Sequence, residues 1–237
     1  MAFFDFLAEL ELYKDNPAAV ARMNMRYRHL IDLFSEEIKG SRVFDIAAHD
    51  GRWSYAFAGA GAKQVVGVEA RQHLIDSFAD YPDAKLRDKV DLRCNDLFDE
   101  MDSEVKNGET YDVVAVFGIF YHIMDHFRLL KLATDLKPKL IILDSEFMDL
   151  PGPVIQMSRE KTEKNLNAAP QIESQKVAVV GYPSFKAMEL MADVLDYEID
   201  WVEWNLLDEN SRLGVNDYYR KTGMRRGTCA LWPRSRG

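Results

Sequence analysis

The chain has 237 residues, 47% of them hydrophobic, 11% aromatic and 29% charged, which is material for one sizeable core and excludes a disordered or fibrous protein. Its net charge of −9 weighs against a phosphate backbone as the main partner. No stretch approaches the roughly 20 apolar residues of a membrane span, and the start Phe3-Phe-Asp-Phe-Leu-Ala-Glu9 lacks the basic region of a secretory signal, so a cytoplasmic protein without membrane contact is expected. Cys94 and Cys229 are too few for a disulfide framework and have no metal-site spacing; they read as buried thiols.

The chain opens on helix, because Val20, Met23, Tyr27, Leu30, Ile31 and Phe34 recur at helical spacing and Gly40 ends the run. Continuous apolar runs at 42–47, 64–69, 111–117 and 140–144 read as strands buried on both faces, while 90–94 alternates apolar and polar like an edge strand. Helices patterned by Trp53, Ala56, Phe57 and Ala60, then by Leu129, Leu130, Ala133 and Leu136, lie between them. Past Phe147 the rhythm breaks at Pro151-Gly-Pro153, and the polar stretch 157–167 is expected to carry a short helix within a lid-like insertion. Ser184 then caps a helix with Met188, Met191, Val194 and Leu195, and 197–204 with 226–232 forms a closing antiparallel pair. The repeat is βαβ, so the fold class is a doubly wound α/β sheet.

After the last acid, Asp217, the residues Arg220, Lys221, Arg225, Arg226, Arg234 and Arg236 make a basic end, read as a solvated edge ahead of an anion or RNA contact. Arg22, Asn24 and Arg26 fall at two-residue steps on the leading helix and cannot all share a side; a solvated face is the leading expectation, with Arg26 or Tyr27 reaching a cofactor carboxylate the second.

Ligands of such sheets bind beyond the carboxyl ends of the strands. Those ends are polar: Asp45-Ile-Ala-Ala-His-Asp-Gly51, Glu69, Asn95-Asp96-Leu97, Phe117-Gly118 with Tyr121-His122, and Asp144-Ser-Glu146. Glu69 follows Gly51 by 18 residues, near the offset at which an acid accepts ribose hydroxyls. The dinucleotide fingerprint GxGxxG fails, with Ala47, His49 and Arg52 in its places, so a ligand with ribose and adenine but no pyrophosphate is indicated.

These motifs resemble the class I, Rossmann-like S-adenosylmethionine-dependent methyltransferases of small molecules over about 42–147, with a weaker match to the end. Asp45-Ile-Ala-Ala-His-Asp-Gly51 stands where that family has D-x-G-x-G-x-G, with Ala47 and His49 replacing two glycines. The resemblance implies S-adenosylmethionine as cofactor, held by Asp45, Ala47, His49, Gly51, Glu69, Ala70, Asp96, Leu97 and Phe117. It implies a seven-stranded order 3-2-1-4-5-7-6 with the last strand antiparallel, a helical cap over 1–40, a methyltransferase domain over 41–237 and a lid over 148–182. Methyl transfer to a hydroxyl needs a base, and His122, near neutrality by its reference pKa, is the candidate; Tyr121 and Glu146 are expected to line the acceptor site.

Each residue also has a structural reading: Asp45 as a loop cap, Glu69 and Asp96 as solvated acids, His122 packed under the lid, Trp53 in the core. His122 and His126 at i,i+4 with Asp144 or Glu146 could hold a divalent metal, but no metal is the expectation, since the motif lacks the glutamate of zinc proteases. The partners read here are a small-molecule acceptor and, at most, a second copy in a homodimer. The alternatives are a tRNA or RNA base as acceptor, and a regulatory subunit that binds the cofactor without turnover.

Overall fold

The computed structural model describes residues 2–204, 212 and 214–234; Arg236 of the basic end lies outside them. The strands are β1 (Arg42–Ile46), β2 (Gln64–Glu69), β3 (Val90–Cys94), β4 (Val113–Phe117), β5 (Leu140–Met148), β6 (Ile155–Lys161), β7 (Val177–Pro183), β8 (Tyr197–Trp201) and β9 (Met224–Pro233). The helices are α1 (Pro17–Leu30), α2 (Ser35–Ile38), α3 (Arg52–Gly59), α4 (Gln72–Asp76), α5 (Ala84–Arg87), α6 (Leu97–Lys106), α7 (His126–Asp135) and α8 (Phe185–Val194). The main sheet runs β3-β2-β1-β4-β5-β9-β8, with β9 antiparallel to both its neighbours. Counted along this sheet alone, that is the expected 3-2-1-4-5-7-6.

Strand parity builds two cores. Val43, Val65, Val113, Ala115, Phe117, Leu140 and Ile142 face Trp53, Ala56 and Phe57 of α3 and Val20 and Met23 of α1. Their neighbours Phe44, Ile46, Val66, Val68, Val114, Val116, Ile141 and Leu143 face α6, α7 and α8 through Met101, Leu129, Leu130 and Met188. Successive side chains alternate faces, so a run apolar at every position is buried on both sides, which is why these strands were legible as unbroken runs. In the register Ile46 lies level with Val68 and with Val116, and Phe117 with Asp144. The residues just past these points therefore meet along one edge.

The structure differs from expectation in several places. The opening helix is not continuous: α1 stops at Leu30, a 3-10 turn spans Asp32–Phe34, and α2 follows. The break lets Leu30, Ile31, Phe34 and Ile38 all be buried. The stretch 157–167 holds no helix; β6 pairs antiparallel with β7, matching Met157 with Gly181 and Glu160 with Ala178. Pairing satisfies main-chain groups that a short polar helix would leave to water. Cys229 is buried as read, but Cys94 is exposed on the edge strand. Ser184 caps α8, accepting from the Ala187 N–H at 3.0 Å. No helix among the described residues is long and apolar enough to cross a membrane.

Candidate active site

The loop after β1 sets the floor. Ala47 and His49 have φ of 58° and 57°, in the left-handed region, and Gly51 follows at 78°. The two substituted residues thus keep a backbone path that glycine takes freely, at a cost of about 1–2 kcal/mol each. The loop is held to β2, where Ala48 N–H donates to Val68 O at 2.8 Å and His49 N–H to the Glu69 carboxylate at 3.1 Å. A Cβ at Gly51 would stand 2.6 Å from Phe78 Cδ2 and 2.8 Å from Leu92 Cδ1. Gly51→Ala is expected to destabilise the fold by about 1–3 kcal/mol in urea denaturation, from overpacking and positive φ together. An unchanged midpoint would mean that Phe78 and Leu92 withdraw at no cost.

Asp45 does not line the crevice. Parity turns it toward α3, where it is buried and accepts from Ser54 Oγ at 2.7 Å. Burial raises its carboxyl to about 7, against the lowering effect of the Ser54 hydrogen bonds. A folded pKa above the unfolded value of about 3.9 contributes its full stability below that value and loses it as pH rises through the folded one. Stability is therefore expected to fall from about pH 4 to about pH 8 by a component that Asp45→Asn removes, read as a flatter dependence of Tm on pH. Parallel curves would mean that Asp45 is ionised throughout.

Two cavities open at the strand ends. One, of about 490 Å³, is lined by Glu69, Ala70, Asp96, Leu97, Phe98 and Asn95 among others. The other, of about 280 Å³, is lined by Ala47, His49, Phe117, Gly118 and Tyr121, together with α1 and Arg226. Glu69, Ala47, Ile119 and His122 line both, so the pair forms one crevice with Glu69 at its waist. Of the residues expected there, Gly51 and Glu146 line neither cavity: Gly51 is the N-cap of α3, and Glu146 turns to Arg220 at 3.4 Å. Asp96 lines the larger cavity while capping α6, accepting from Phe98 N–H at 2.8 Å through Oδ1.

The crevice wall presents a fixed acceptor and an unpaired donor. Glu69 is buried, with its carboxylate fixed by the N–H groups of His49 and Arg71, each at 3.1 Å. His49 accepts from Arg52 at Nδ1, which puts its hydrogen on Nε2, and Nε2 is buried with no partner. Burial and Arg52 lower the pKa of His49, keeping that tautomer neutral. The result is a donor in the crevice wall that a ligand oxygen would satisfy.

His122 follows β4 in a 3-10 turn (Phe120–His122) and lines both cavities. Its Nδ1 lies 2.6 Å from Oε2 of Glu160, on β6 of the insertion. Glu160 also accepts the Ala168 N–H at 2.8 Å. Burial would raise the Glu160 carboxyl, but the His122 and Ala168 hydrogen bonds outweigh it and hold the acid ionised below its usual range. An ionised acceptor at Nδ1 selects the tautomer with the Nε2 lone pair free, and Nε2 has no partner among the described residues. The insertion is tied down further, as Arg71 donates to Asn167 O at 2.8 Å and His73 meets Asn165 Oδ1 at 3.2 Å. His126 joins no metal site: its ring nitrogens face Met124 O at 2.9 Å and Gly181 O at 3.0 Å. No group of three or more His, Cys, Asp or Glu among the described residues is placed to hold a metal.

The solvated readings of the leading helix and the basic end are overturned at Arg26 and Arg226. Both are buried, and both donate to Oδ1 of Asp144, at 2.6 and 2.7 Å. Tyr218 Oη and Thr228 Oγ1 complete Asp144 through Oδ2, at 2.6 and 2.7 Å. Arg22, one turn before Arg26, grips both oxygens of Asp217, while Asn24 points away to bond Asp5. Arg225 packs over Phe185 and Arg234 pairs with Asp193.

No protein-family model matches this chain, and no curated protein is significantly similar to it in sequence. Solved structures are similar in fold. The N-terminal domain of EvdMO1 with SAH bound has a TM-score of 0.63 at 17% identity, over 97% of this chain and 85% of that one. The same domain in the presence of SAH and D-fucose has a TM-score of 0.62 at 17% identity, over 92% and 83%. An S-adenosylmethionine dependent methyltransferase from Mesorhizobium loti has 0.59 at 12% identity, over 90% and 99%. The chain thus has the fold of the class I, Rossmann-like S-adenosylmethionine-dependent methyltransferases.

Sequence reasoning missed Glu160, Arg226 and Arg71. The apolar and polar alternation of Ile155-Gln-Met-Ser158 was a strand signal that would have placed Glu160. Arg226 carried none, because a run of arginines near a chain end looks the same whether it faces water or a buried aspartate.

Proposed function

We propose that this protein is an S-adenosylmethionine-dependent methyltransferase that methylates a hydroxyl of a small molecule, with His122 as general base. The observation that carries the reading is the pair of His122 and Glu160, 2.6 Å apart, at the wall common to both halves of the crevice. In this reading Glu69 holds the ribose, Ala70, Asp96 and Leu97 bound the adenine, and Ala47, His49 and Phe117 bound the methionine. S-adenosylmethionine supplies an electrophilic methyl on a sulfonium. The acceptor oxygen bonds that carbon as the carbon–sulfur bond breaks, its electron pair stays on sulfur, and Nε2 of His122 takes the hydroxyl proton. Glu160 stabilises the imidazolium that results.

A small acceptor is supported by the insertion, whose Asn165, Leu166 and Asn167 line the smaller cavity. The basic end offers little to a nucleic acid when Arg226 is buried and Arg220 and Arg234 are paired with acids. The neighbour crystallised with D-fucose is in keeping with a small hydroxylated acceptor. Binding without turnover was suggested by the two missing glycines, and the retained left-handed backbone at both positions weakens that alternative.

Calorimetry with S-adenosylhomocysteine, using NAD as control, tests the cofactor. Binding of the former alone is expected, and Glu69→Ala should weaken it by about 1.5–3 kcal/mol through a lost charge-assisted hydrogen bond. No binding by the wild type would overturn the proposed function, and unaltered affinity in the variant would unseat the ribose site.

A further inference from the structure

The smaller cavity has a lopsided wall. Arg22, Arg26, Arg52, Arg71 and Arg226 line it, and among the described residues Glu69 is the one acid that does so. Glu69 apart, the carboxylates that hold these guanidinium groups do not line it. Asp217 takes Arg22 with both oxygens, Asp50 takes Arg52 at 2.6 Å, and Glu69 takes Arg71 at 3.5 Å. Asp144 alone serves two, Arg26 and Arg226, and is already filled by Tyr218 and Thr228. That pair therefore has one carboxylate between two guanidinium groups, in residues 7% and 6% exposed.

An uncompensated charge at that depth is costly unless an anion meets it. Donors are available for one. Arg226 uses Nε on Asp144, makes only a 3.5 Å contact from Nη1 to Tyr121 Oη, and has Nη2 unengaged. Arg26 uses Nε on Tyr218 and Nη2 on Asp144, leaving Nη1. These two lie over aromatic rings, Arg226 5.6 Å from the centroid of Tyr121 and Arg26 5.1 Å from that of Trp53, so their heads are held in place. The Tyr121 ring in turn lies 4.0 Å from the His122 ring. The anion site and the base thus share one tyrosine.

We propose that the acceptor is a hydroxy acid whose carboxylate binds Arg226 and Arg26 while its hydroxyl faces His122. This rests on the methyltransferase reading above. A monoanion supplies the second carboxylate that this pair of guanidinium groups lacks. The cofactor is a poorer match, because its carboxylate comes with an ammonium and a sulfonium and its net charge is positive. Bidentate capture by a guanidinium fork would also orient the hydroxyl, which is the larger part of what an in-line displacement needs.

The test uses the full chain saturated with S-adenosylhomocysteine, titrated with acetate, glycolate and benzoate, each against its own primary amide, and read by the fluorescence of Trp53 and by thermal shift. At least one carboxylate should bind about tenfold or more tighter than its amide, and Arg226→Gln should abolish that preference while changing S-adenosylhomocysteine affinity less than about twofold. Equal binding of acids and amides by the wild type would overturn the proposal whether or not the variant folds. So would an Arg226→Gln variant that loses S-adenosylhomocysteine but keeps 5′-methylthioadenosine, which lacks the amino-acid tail, since the cluster would then hold the cofactor's own carboxylate. Failure of the wild type to bind S-adenosylhomocysteine at all would instead sink the methyltransferase reading.

Discussion

Asp144→Ala is expected to destabilise the protein by about 3–5 kcal/mol, the largest effect of any single change considered for this chain. The carboxylate is fully buried and accepts four hydrogen bonds, from Arg26, Arg226, Tyr218 and Thr228. Removing it leaves two buried guanidinium groups facing each other with no counter-charge. Asp144→Asn keeps the shape but not the charge and should fall between the two. Urea denaturation with a shared m-value would measure both, and a loss under about 1 kcal/mol for the alanine variant would mean that water or a rotated Asp217 replaces the carboxylate. Acid pH should reproduce part of the effect. Burial pushes the Asp144 carboxyl up, but Arg226 and Arg26 outweigh it and hold it well below the usual carboxylate range. Its stabilisation is then fully present above the unfolded pKa of about 3.9 and is lost as pH falls through the lower folded value.

His122→Ala is expected to lower turnover by about a hundredfold with any acceptor that the wild type methylates, while S-adenosylhomocysteine affinity stays within about twofold. In the proposed mechanism the imidazole can accept the proton because Glu160 takes Nδ1–H and leaves Nε2 free. Glu160→Gln should therefore cost less, about tenfold, and should move the rising limb of the pH–rate profile to lower pH, because a neutral amide stabilises the imidazolium less than a carboxylate does. A base mechanism predicts loss in kcat rather than in KM, and a purely packing role predicts the reverse. Unchanged turnover in His122→Ala would remove the base from the mechanism and favour an acceptor that carries no proton to be lost.

The parts of the site that were legible in the chain were those set by local backbone or by position along a strand. Glu69 at the end of β2, the loop at Ala47, His49 and Gly51, and His122 after β4 are each placed by the run of apolar residues before them, since a strand buried on both faces has one end at which polarity returns. Asp45 was placed on the right strand and assigned to the wrong neighbour: its parity sends it to Ser54 and away from the crevice. Glu146 likewise lines neither cavity, its carboxylate turned to Arg220.

By itself, then, the sequence determined the α/β class, because periodicities of two and of 3.6 are local properties that the chain displays without folding, while the strand order was implied by the resemblance of its motifs to a known fold. The tertiary structure alone decided what surrounds the smaller cavity. Arg22 and Arg26 from α1, Arg226 from β9, Glu160 from the β6–β7 hairpin and Tyr121 after β4 meet across separations of up to 204 residues. Whether a guanidinium ends in water or on a buried aspartate depends on a partner 82 or 118 positions away, and side-chain identity carries no record of that distance.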